Sequence, residues 1–319
     1  MTSSVVVKGT SRRPAAPTGT LGVGTAYTLM AALGFSAVST LTSIATGEHV
    51  SLWTVQLWRF VIASVALVLF VGTRRYPRMP WAEALRMMAI GGGGQALLLG
   101  LALSSLRFVT VATLAFLFYT YPAWVTVVQT LRGVERFTPR RASALALSFA
   151  GIVTMVLGPA FRARTPDAGV DFSLPAWQGI AMALGAALVY GLYIPAMQWL
   201  QKDHPVPVTS AYIKLGAAVC FFLLALGDGS LGFSMSGTAW EAIVALALFS
   251  TVLPGVLFLM GLMRLGPVRT AIVSTVEPFL TALLGAMVLR QAITITTLLG
   301  GAMIVSAVVL LQFRRERVA

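Results

Sequence analysis

Long apolar runs alternate with short polar connections along most of this chain. A helix needs roughly 20 apolar residues to cross a hydrocarbon core about 30 Å thick. Ten runs approach that length, at about 22–45, 52–72, 82–103, 109–131, 142–159, 176–200, 208–227, 238–262, 268–289 and 295–313. Lipid offers no partner for an exposed N–H or C=O, so apolar spans of this length fold as helices. The pattern therefore predicts an all-α integral membrane protein with ten transmembrane helices. The longest connection, 161–175, carries two prolines and charges of both signs, and it divides the chain into halves of five spans.

Composition agrees. Of 319 residues, 57% are hydrophobic and 10% charged, with mean hydropathy +0.86. Soluble domains are roughly 25% charged, so a soluble fold would lack the charge to cover its surface. The net charge of +13 sits in short clusters between apolar runs, without aromatic interleaving. It reads as an orientation signal and not as a nucleic-acid face.

With the N-terminus inside, sixteen Lys and Arg fall on the inner side, in both tails and around 74–78, 132–141, Lys202 and 264–269. Four fall outside: Arg107, Arg162, Arg164 and Arg290. Arg59, Arg86 and Lys214 lie within or at the edge of spans. The asymmetry places both ends in the cytoplasm and the protein in the cytoplasmic membrane. Residues 1–20 lack a secretory pattern and read as a disordered cytoplasmic tail, and 314–319 as a basic one. The linker 161–175 is then external. Cys220 is the only cysteine and the histidines are His49 and His204, so neither an internal disulfide nor a zinc site is expected.

The halves resemble each other at an offset of 156. Leu106 aligns with Leu262, Pro122 with Pro278, Glu135 with Gln291 and Thr138 with Thr294. One residue either way, Gly34 matches Gly191 and Arg59 matches Lys214. Five spans is an odd number, so the second copy enters the bilayer from the opposite side. The expected architecture is two inverted five-helix repeats, 21–160 and 176–313. Secondary transporters use such repeats, rocking them about a central site.

Several motifs carry a family resemblance. Trp58-Arg59-Phe60, Tyr121-Pro122 followed by Gly133-Val134-Glu135-Arg136-Phe137-Thr138, Leu265-Gly266 and Glu277-Pro278 resemble EamA-type members of the drug/metabolite transporter superfamily. The resemblance covers about 21–313. It implies ten helices, two inverted repeats and movement of small metabolites. Gln291 departs from the family pattern, in which an acidic residue is common there.

Glu277 falls about nine residues into span nine, or roughly 14 Å deep at 1.5 Å per residue. An ionised acid there costs about 2.5–3.5 kcal/mol, so it faces a cavity, finds a cation or stays protonated. Pro122 and Pro278 deprive the carbonyls of Phe118 and Ser274 of their helical partners. Those carbonyls either line a cavity or are satisfied by nearby hydroxyls. Arg59 and Lys214 either snorkel to an interface or meet an anion, and Arg59 is also a candidate partner for Glu277. Tyr119, Tyr121, Tyr190 and Tyr193 lie near mid-depth, where a phenol seeks a hydrogen-bond partner. Gln95 follows Gly91–Gly94, whose small size permits close helix approach. Trp53, Trp81, Trp177 and Trp240 stand at span starts as interfacial anchors.

The substrate-binding candidates are thus Glu277, Arg59, Tyr121, Gln95, Tyr119, Tyr190, Tyr193 and Lys214, with helix breaks at Pro122 and Pro278. No cofactor or metal is implied, and no nucleotide-binding or hydrolase motif is present. The expected function is secondary transport of a small metabolite, an amino acid or drug-like solute, in the export direction. The partners are the bilayer, the solute and, as a candidate coupling ion, protons. Two other classes compete: a lipid-acting enzyme using His49 with Glu48 or His204 with Asp203, and a membrane scaffold or receptor. Reporter fusions at each terminus should both give the cytoplasmic signal; opposite signals would remove the ten-span topology.

Overall fold

The computed structural model describes residues 18–135, 138–163, 176–289 and 293–312. The expected tails (apart from helical Thr18–Thr20), the linker beyond Ala163 and Gln291 lie outside these. Among the described residues all regular structure is helical.

The first half runs α1 (Thr18–Ser36), α2 (Val38–Gly47), α3 (Leu52–Thr73), α4 (Trp81–Arg86), α5 (Gly93–Ser105), α6 (Val111–Phe118), α7 (Tyr121–Leu131) and α8 (Pro139–Ala163). The second runs α9 (Ala176–Leu200), α10 (Val206–Gly227), α11 (Gly237–Ala247), α12 (Leu253–Leu265), α13 (Pro267–Ser274), α14 (Glu277–Leu289) and α15 (Ile295–Gln312). A π-helical turn, Met87–Gly92, joins α4 to α5, and another, Leu248–Val252, joins α11 to α12. Eight helical stretches, some built from two of these elements, are long and apolar enough to cross a bilayer. Exposed Leu69, Leu223 and Leu299 suit such surroundings.

The same breaks recur in both halves. α6 and α13 begin and end 156 residues apart, and so do the starts of α7 and α14. Tyr119–Thr120 interrupts one path and Thr275–Val276 the other. Each proline lies in the first turn of the helix that follows, where a missing N–H costs nothing. The carbonyls that the sequence marks as freed belong to Phe118 and Ser274, the last residues of α6 and α13. Hydroxyls serve these breaks: Thr120 donates to the Leu117 carbonyl at 2.7 Å and Thr275 to that of Ile272 at 2.6 Å. The proline positions thus mark chain breaks, and not kinks in continuous helices.

Helix pairing follows an exchange of halves. α1 packs on α12, and α9, its counterpart, packs on α5. α3 packs on its own counterpart α10, and α8 on α15. Small residues make the contacts possible. A Cβ added to Gly24 would meet Arg264 and Leu265 at 2.9 Å, and one on Gly179 would meet Phe108 and Val109 at 2.7 Å. These two contacts are the same pairing with the halves swapped. Gly92 lies against Gly216 and Ala217, and Gly151 against Gly300. The expected role of the glycine run is met by Gly91 and Gly92, whereas Gly93 faces open space.

This contrast supplies an internal control. A Cβ on Gly92 would lie 2.5 Å from the Gly216 Cα, so Gly92→Ala should sharply lower the yield of folded, detergent-stable protein. Gly93→Ala should equal or exceed wild type, since alanine is favoured in helices by about 1 kcal/mol. Equal yields of the two variants would contradict this packing.

Candidate substrate site

At the centre of the α3–α10 contact two cations flank one ring. Arg59 and Lys214 are both buried. The Arg59 guanidinium carbon lies 5.2 Å, and the Lys214 Nζ 5.5 Å, from the centre of the Phe60 ring. Phe60 stacks on Phe221, 5.3 Å away and nearly parallel. Ring quadrupoles attract cations, but a buried charge also needs hydrogen bonds. Arg59 donates from Nε to Thr251 Oγ1 at 2.6 Å, and to Gln56 Oε1 at 3.1 Å and the Ser250 carbonyl at 3.4 Å. Lys214 donates to Gln95 Oε1 at 2.9 Å.

These contacts form an exchange-related pair. Thr251 stands 156 residues after Gln95, and Lys214 is the counterpart of Arg59. The cation on the second span of each half therefore donates into the third span of the other half. Thr251 belongs to the π-helical turn at Leu248–Val252, a geometry common at functional sites. Neither cation snorkels, and Arg59 does not pair with Glu277: all its hydrogen bonds go to neutral acceptors among the described residues.

Glu277 opens α14 beside the break, partly buried. The phenols of Tyr119, Tyr121 and Tyr190 lie within electrostatic range of it. Tyr121 and Tyr190 have ring centres 4.6 Å apart, and Tyr190 and Tyr193 6.1 Å. Tyr121 donates to the Ala271 carbonyl at 3.2 Å. A narrow cavity of about 40 Å³ follows, bordered by Tyr190, Tyr193, Gln95 and Lys214. Four of the eight expected residues, Tyr190, Tyr193, Gln95 and Lys214, border this cavity. Tyr121 packs on Tyr190 and Tyr119 on Tyr121, while Arg59 and Glu277 are not among its lining residues. A larger apolar groove of about 320 Å³ lies against Tyr119, Pro122 and Phe149. It contains none of the charged candidates.

Each end of α3 carries a further polar contact. Before it, Ser236 donates to Glu48 Oε2 at 2.8 Å. Beyond it, His204 Nε2 lies 2.6 Å from Glu83. Glu48 and His204 are 156 residues apart, but their partners are not equivalent, since Glu83 corresponds to Ala239 and Ser236 to Pro80. In the α7–α8 loop, Glu135 pairs with Arg141 at 2.8 Å. Burial pushes its carboxyl up from the ordinary value, against the pull of Arg141 and Arg269. Among the tryptophans, Trp81 and Trp177 are exposed as interfacial anchors would be, whereas Trp53 stacks on Phe221 and Trp240 packs on Trp58.

Thr251, Ser250, Gln56 and Ser210 were not singled out by the sequence, and Phe60 appeared only within the Trp58-Arg59-Phe60 motif. Hydroxyls inside long apolar runs carry no local signal. The offset of 156 from Gln95 would have found Thr251.

An all-helical chain of membrane-length spans, duplicated and polar at the meeting of its halves, is a multi-pass membrane protein. Comparison with known proteins makes this specific. The chain belongs to the EamA-like transporter family, whose profile matches residues 22–157 and again 177–313. It is therefore a transporter, with two EamA repeats. An uncharacterized transporter of Archaeoglobus fulgidus is 28% identical over 65% of this chain and 69% of its own. The threonine/homoserine exporter RhtA of Escherichia coli is 31% identical over 62% of this chain and 67% of its own. A solved crystal structure shares the fold at TM-score 0.78 and 20% identity, covering 91% of this chain and 96% of its own.

The exchange relation makes a paired prediction. Thr251→Val and Gln95→Leu each remove the acceptor of one buried cation. Each should cost about 1–3 kcal/mol in denaturant unfolding. A cost confined to one of the two would show that the contacts are not equivalent.

Proposed function

We propose that this protein is a secondary carrier that exports a small metabolite across the cytoplasmic membrane by alternating access. The observation that carries the reading is the doubled contact, Arg59 to Thr251 and Lys214 to Gln95. A machine that rocks between two mirror-like states needs equivalent contacts that its halves make in exchange. α8 and α15 serve as the fifth and tenth spans, and the odd span number makes the repeats inverted. The end contacts, Glu48 with Ser236 and Glu83 with His204, then close opposite ends of the path and alternate during the cycle. Formed together, they describe an occluded state.

Glu277 and the four tyrosines, with Gln95 and Lys214, line the solute path, and Arg59 braces it. Glu277 is also the candidate for proton coupling. The likeness to RhtA makes amino acids of threonine size the first solutes to test. The enzyme reading gains no support from geometry, because Glu48 is engaged by Ser236 and His204 by Glu83.

Efflux of labelled threonine, homoserine and a mixed metabolite extract from loaded vesicles tests the proposal. Wild type should exceed empty vesicles. Glu277→Gln should insert normally and lose about tenfold or more of the flux, the scale of one lost charge-assisted contact. Undiminished flux in that variant removes Glu277 from the mechanism, and the absence of any flux by wild type removes the proposed export.

A further inference from the structure

The environment of Lys214 is incomplete in a way that identifies a ligand. An ammonium has three N–H donors. One reaches Gln95, and the Phe60 face takes up part of the charge. No carboxylate pairs with Lys214 among the described residues. The narrow cavity borders it, together with Ser210, Tyr193, Gly255 and Phe258. Ser210 is buried, at 1% exposure, and its Oγ has no hydrogen-bond partner. Gly255 borders the same cavity, and a Cβ there would lie in van der Waals contact with the Lys214 Nζ, at 3.5 Å. Arg59 differs: its three donors reach Thr251, Gln56 and Ser250, and it is not among the cavity's lining residues.

We propose that Lys214, Ser210 and Gln95 form a subsite for a single carboxylate of the transported solute. A buried cation beside an unpartnered hydroxyl is completed by an acceptor-only anion. One water needs roughly 10–15 Å³ of such volume, so about 40 Å³ admits a head group of a few heavy atoms and not a whole metabolite. One cation matches a monoanion better than a phosphate dianion. The inference deepens the transport reading and depends on it for the solute's arrival, but carboxylate binding is measurable without flux.

Thermal unfolding of the full-length protein in lipid nanodiscs is the test, with L-threonine, L-threoninamide, sodium acetate and inorganic phosphate at matched ionic strength. The acid should stabilise with an apparent affinity about tenfold or more above that of the amide. Lys214→Met should erase the difference. Gly255→Val, which adds bulk beside Nζ without touching a polar group, should erase it too if Lys214→Met does not fold. Equal effects of acid and amide, no effect of either acid, or stabilisation by phosphate alone would overturn the carboxylate subsite. Vesicle flux of a carboxylate-free solute alongside such a result would leave the carrier itself standing.

Discussion

Two buried positive charges sit at the contact of the two halves with no acid beside them among the described residues, and the packing around them follows from that constraint. A buried guanidinium or ammonium must collect acceptors and polarisable surface or be expelled. Arg59 collects Thr251, Gln56, Ser250 and the edge of the Phe60 environment; Lys214 collects Gln95 and the same ring. Each cation reaches across from its own half into the other. The halves are therefore joined at their middle by hydrogen bonds and not only by apolar contact, which lipid would satisfy equally well.

Close backbone approach makes those bonds possible. Gly92 and Gly216 let the third span of one half lie directly on the second span of the other. The breaks at Tyr119–Thr120 and Thr275–Val276 do complementary work. They end a helix in the membrane interior, where only protein hydroxyls or a cavity supply partners. They also present Tyr121 and Glu277 at equivalent positions of the two halves, one a phenol and the other an acid. The architecture is nearly exchangeable, whereas the chemistry at these two positions is not.

Much of this was legible beforehand. Span positions follow from apolar length, and the duplication from Pro122 and Pro278 with Arg59 and Lys214 at near-constant offset. Glu277 stood out because charge is rare at its depth. What the sequence left open was partnership. Arg59 looked like a mate for Glu277 on charge alone, yet it is held by a threonine hydroxyl and a backbone carbonyl, groups too common in apolar helices to signal themselves. His204 invited pairing with its neighbour Asp203, but the fold brings it to Glu83, more than a hundred residues away. Which helices face one another decides such pairings, and that information lies in glycine placement spread over the whole chain.

The central claim is that the halves trade places, opening one end as the other shuts. Electron-spin distance measurement on labelled pairs at positions 48 and 236, and at 83 and 204, addresses it most directly in nanodiscs with Cys220 replaced by serine. The account predicts two distances for each pair, with solute or a proton gradient shifting the two populations in opposite senses. Single fixed distances at both ends, or populations that lengthen and shorten together, would contradict it.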